Sequence, residues 1–102
     1  RALDYAEKAR ARLPESPEAA DTLGWILVRQ GKVQRGLKLI EQAKARLDQH
    51  PSVHWHHAWA LDAAGEKAAA LDSVERLLEK HPQFPERADA ERLRSRLQKK
   101  EG

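Results

Sequence analysis

A spacing of 34 residues runs through this chain and constrains its fold more than any other feature. Pro17, Pro51 and Pro85 are 34 apart, and so are Gly31 and Gly65, Trp25 and Trp59, Leu27 and Leu61, and Leu37 and Leu71. When prolines, glycines and apolar residues share one period, the repeated object is a supersecondary unit that must stack on its neighbours to bury its apolar face. Pro17 and Pro51 each open an apolar pattern about one helix long, which is followed by RQGK or AAGE and then by a second helical pattern. Proline is tolerated in a first turn, where its missing N–H would have had no partner. Ser16 is placed to cap the helix that Pro17 opens. Gly31 and Gly65 sit where a left-handed residue ends a helix. The expected unit is therefore a two-helix hairpin. The expected helices are 2–13, 17–30, 33–49, 52–64, 67–80 and 86–99, and connections of a few residues make neighbours antiparallel.

Composition agrees with an all-α chain. Ala, Leu, Arg, Lys and Glu dominate while aromatic and β-branched residues are scarce. At 102 residues the chain fits one domain. Its net charge of +3 arises from 19 basic and 16 acidic side chains that are interleaved, so no basic block marks a nucleic-acid partner. The longest apolar run, Leu23 to Val28, falls far short of a membrane span. With no cysteine, disulfides and thiolate chemistry are excluded, and the compartment stays open. Ser16, Ser52, Ser73 and Ser95 are scattered, and no HExxH, phosphate loop or glycine-rich nucleophile turn occurs. A non-enzymatic chain without a cofactor is the expectation. Charge runs such as Glu86 to Arg96 contain opposite-sign pairs at helical spacing and read as solvated faces.

Units of this kind resemble tetratricopeptide repeats. In the unit from Pro17, DTLGWILVRQG supplies Leu23, Gly24, Leu27 and Gly31, and the second helix supplies Leu37, Ile40 and Ala43. The unit from Pro51 supplies Ala58, Leu61, Gly65, Ala70, Val74, Leu77 and Pro82, but carries His54 and His57 where the family prefers Trp and Leu. The resemblance implies an α-solenoid of about six helices. Residues 1–14 form the second helix of a truncated repeat, 17–50 and 51–84 are repeats, and 85–100 is a capping helix with Arg92 in register with Gly24 and Ala58. On this reading the chain begins mid-repeat and is a piece of a longer solenoid. A narrower likeness runs over about residues 17 to 97, through DTLGWILVRQG, HWHHAWALDAAGEKAAAL and FPERADAERL. These stretches are similar to the C-terminal end of bacterial envelope tetratricopeptide proteins of exopolysaccharide production, notably the PEP-CTERM-system lipoprotein family. That likeness implies a periplasmic or envelope scaffold in polysaccharide assembly or export.

In the family the first helix of each pair lines a concave groove. The resemblance therefore implies a partner-binding set of Asp21, Trp25, Val28, Arg29, Trp55, Trp59 and Asp62. Trp25 would lie near Trp59 or Trp55, and tryptophan and arginine are the types that most often dominate interface energy. A protein or peptide segment is the expected partner; a polysaccharide, or self-association through the solenoid ends, are the alternatives. Family members that grip a chaperone's C-terminal carboxylate use lysine, arginine and asparagine. Asp21, Trp25, His56, Glu86 and Ala90 stand at the corresponding places, which argues against that ligand.

The stretch HWHHAW, His54 to Trp59, poses a separate question. On a helix, His54 and His57 share a face with Ala58 and Leu61, while Trp55, Trp59 and Asp62 share another and His56 points away from His54. At most two of these three histidines meet, and no acid or thiol completes a metal site at the required spacing. His50, across Pro51 from His54, is the remaining candidate to join it in a metal contact, and no metal site is the expectation. Packing of His54 and His57, with hydrogen bonds to neighbouring groups, is the expected role.

Overall fold

A computed structural model describes residues 1–101 and is all-α, with six helices: α1 (Ala2–Arg12), α2 (Pro17–Arg29), α3 (Val33–Arg46), α4 (Pro51–Ala63), α5 (Lys67–Lys80) and α6 (Arg87–Glu101). Each helix packs on the next in sequence, and α2 also packs on α4. The result is an elongated repeat-like stack, 44 × 26 × 20 Å, in which α2 with α3 and α4 with α5 form consecutive hairpins.

The punctuation of the sequence explains the helix ends. The Ser16 hydroxyl accepts a hydrogen bond from the Ala19 backbone N–H at 3.1 Å, with Pro17 in the first turn of α2. Gly31 and Gly65 have φ of 91° and 83°. After α2, the Gly31 N–H reaches the Val28 carbonyl at 3.1 Å and the Lys32 N–H reaches Leu27 at 2.8 Å; after α4, Gly65 and Glu66 repeat this pattern to Asp62 and Leu61. Both hairpins therefore close through the same two-bond glycine cap, which satisfies carbonyls that the helix leaves free. The third helix stops at Arg46 rather than near residue 49. Pro51 pushes the preceding His50 into extended backbone, and a turn closed from the His50 N–H to the Leu47 carbonyl fills the gap.

Helices α2 and α3 approach closely because Gly24 and Gly36 face each other. A Cβ added to Gly36 would come 2.5 Å from the Gly24 carbonyl oxygen and from Val28 Cγ2. One period later, Ala58 and Ala70 take the equivalent places in α4 and α5, both fully buried. The largest apolar cluster runs from Val28, Leu37 and Ile40 through Trp55, Leu61, Val74 and Leu77 to Ala90, Leu93 and Leu97 of α6. Leu23 and Leu27 pack with Ala6 of α1 in a second cluster. Helix α6 buries Ala90, Leu93 and Leu97 and turns Arg92, Ser95, Arg96, Gln98 and Lys99 to solvent, the two-sided pattern of a cap.

A candidate interaction groove on the first helices

The stack brings side chains one period apart into contact. Trp25 of α2 meets Trp59 of α4 edge to face, with ring centroids 5.2 Å apart. The Ser52 hydroxyl at the start of α4 donates to the Glu86 carboxylate at 3.0 Å, and Arg96 of α6 donates to Asp62 of α4. Each of these three pairs spans 34 residues. Together they line one face of α2, α4 and α6, where Trp25, Trp55, Trp59, Arg29, Arg96 and Leu93 border an open groove of about 610 Å³.

Trp25 is the centre of this face. One ring neighbour is the His56 imidazole, stacked at 4.2 Å with an interplanar angle of 19°, and the Arg29 guanidinium lies 5.6 Å from the indole centroid. That distance allows a cation–π attraction. The His56 Nδ1–H donates to both Asp21 carboxylate oxygens, at 2.9 and 3.0 Å; since a carboxylate only accepts, the imidazole must carry this proton. Asp21 thereby fixes His56 against Trp25.

Asp62 is held from two sides. Lys67 of α5 donates to its carboxylate at 2.6 Å and Arg96 donates from α6. Burial would raise this carboxyl, but the two cationic hydrogen bonds outweigh it and hold the group below the usual carboxylate range. Asp62 therefore fastens α5 and α6 to α4.

The expected groove set is only partly brought together. Trp25 and Trp59 are half-buried and line the groove with the exposed Arg29. Trp55 also borders it but is only 6% exposed, so it forms the floor. Asp21 and Asp62 stand beside the groove with their carboxylates already engaged. Val28 requires correction: it is 3% exposed, packed against Gly36 between α2 and α3, and offers a partner no surface. His56 is a groove residue absent from the expected set. Its signal was available, because it precedes Trp59 by three residues and so shares its helix face. The α6 contributors were legible through the period too, since Leu93 is Trp59 plus 34 and Arg96 is Asp62 plus 34.

No protein-family model matches the chain. No curated protein is significantly similar to it either.

The other histidines lie on the far side of α4. His57 is 8% exposed; Lys44 Nζ donates to its Nδ1 at 3.5 Å, and its Nε2–H points to Glu41 at 3.4 Å. Burial, and next the positive charge of Lys44, push the imidazole below its ordinary value, while Glu41 opposes them. The His54 Nε2–H donates to the Asp48 carbonyl at 2.6 Å, and its ring stacks 6.3 Å from His81. His50 is exposed at the start of α4. Among the described residues, no three His, Cys, Asp or Glu side chains converge as a metal site would need, and no helix is long and apolar enough to cross a membrane.

Proposed function

We propose that the chain is a tetratricopeptide-type interaction scaffold that binds a segment of a partner protein in the groove formed by α2, α4 and α6, without catalysis. The observation that carries this reading is the Trp25–Trp59 pair: two large aromatics one period apart, joined edge to face and half-buried on an open surface. Large aromatic side chains lose little conformational freedom on binding and contribute much apolar area, which makes them good anchors. A rigid face supports the same reading, because the Asp21–His56 and Asp62–Lys67–Arg96 contacts hold the groove walls before a partner arrives. The likeness of DTLGWILVRQG and FPERADAERL to envelope tetratricopeptide proteins adds a setting to the proposal: a periplasmic scaffold for exopolysaccharide assembly or export.

The test is a binding measurement on the purified chain and on Trp25→Ala plus Trp59→Ala, with circular dichroism to establish that the variant is folded. Envelope proteins captured by the chain should be lost from the variant. Equal capture by both would move the site away from this groove.

A further inference from the structure

Resting on that reading, we infer that the groove selects a peptide segment carrying a carboxylate beside an apolar or aromatic side chain, with the carboxylate bound by Arg29. Most charged groups of the groove already have partners within the fold. Asp21 is occupied by His56, Asp62 by Lys67 and Arg96, Asp89 by Arg92, and Glu86 by the Ser52 hydroxyl. Arg29 differs. It is exposed, forms no ion pair or hydrogen bond among the described residues, and rests beside Trp25 with its planar donor fork available. The indole N–H groups of Trp25, Trp55 and Trp59 likewise have no acceptor among the described residues, and none of them is sealed from solvent. The groove thus offers unused donors while its carboxylates are engaged. A complementary ligand must bring acceptors and an apolar group together.

Position strengthens the point. Arg29 lies four residues after Trp25, so on α2 the two share a face and adjoin each other. A carboxylate that meets the guanidinium brings its neighbouring side chain over the Trp25–Trp59 edge. Arginine binds carboxylates through paired N–H donors, a geometry that lysine cannot reproduce.

Short random peptides displayed on phage should be selected on the immobilised chain, and the enriched sequences made as fluorescein-labelled peptides for anisotropy titration. The expected pool is enriched in Asp or Glu next to Leu, Phe, Tyr or Trp. Its peptides should bind roughly tenfold or more weakly to Arg29→Gln, with Arg29→Lys recovering only part of the loss, and binding should weaken as salt rises. Arg29 is exposed, so these variants keep the fold. Selected peptides that lack acidic residues, ignore Arg29→Gln and yet fail on Trp25→Ala plus Trp59→Ala would overturn this inference while leaving the groove reading intact. Peptides indifferent to all three variants would overturn both. Failure to select any peptide, with tryptophan quenching by oligogalacturonate instead, would assign the acidic ligand to glycan and overturn the peptide inference.

Discussion

His56 and His57 are consecutive, yet their side chains serve different faces of α4. One stacks on Trp25 in the groove and bonds Asp21; the other is enclosed against α3 by Lys44 and Glu41. The environment of His57 has a thermodynamic consequence. Because its folded value lies below the ordinary imidazole value, the unfolded chain binds more protons than the folded one as pH falls through about 6.5. The contribution of His57 is therefore fully present above that pH and is lost below it. Melting temperature should be lower at pH 5 than at pH 7.5, and the difference should shrink in His57→Gln. An unchanged difference in that variant would show that His57 is not the group responsible. Asp62 is separable from this effect, because its lowered value contributes stability above the ordinary carboxylate range and loses it only in more acidic solution.

At the level of helices, the tight α2–α3 hairpin and the α4–α5 hairpin solve the same packing problem with different residues. Gly24 and Gly36 bring the first pair into backbone contact, whereas the equivalent places in the second pair are taken by Ala58 and Ala70, both fully buried. Gly36→Ala should cost about 1–3 kcal/mol, the usual penalty for overpacking, because the new Cβ meets a backbone oxygen that cannot step aside. Urea unfolding monitored by circular dichroism measures this directly, and a neutral or stabilising result would place the helices farther apart than described. The cap depends on a different link. Asp62→Asn removes the charge that receives Lys67 and Arg96, at an expected cost of about 1 kcal/mol, since both donors are partly exposed and water replaces part of the interaction. Amide exchange should then accelerate in α6 more than in α2. Uniform acceleration would mean that the carboxylate acts on the stack as a whole.

For the whole molecule, the fold was largely legible because its determinants are local and repeated. Pro17 and Pro51 open helices, Gly31 and Gly65 close them, and apolar positions recur with the same period. The groove was less legible. Helical spacing gives a residue's direction but not its depth, so Val28 was expected on the surface although the Gly36 approach draws it into the core. Pairing across helices was also hidden: nothing in HWHHAW alone says that the middle histidine will find Asp21, whereas its neighbour finds Glu41 and Lys44. Such contacts depend on the offset between stacked hairpins, which tertiary packing sets.

Residues a full period apart touch only when the hairpins stack in register. The most direct measurement is a proton NMR spectrum recording nuclear Overhauser contacts between the assigned indole rings of Trp25 and Trp59. The edge-to-face geometry at 5.2 Å predicts ring-to-ring cross-peaks between the two residues. Their absence, in a spectrum that shows the expected contacts within α2 and within α4, would contradict the stacking and the groove together.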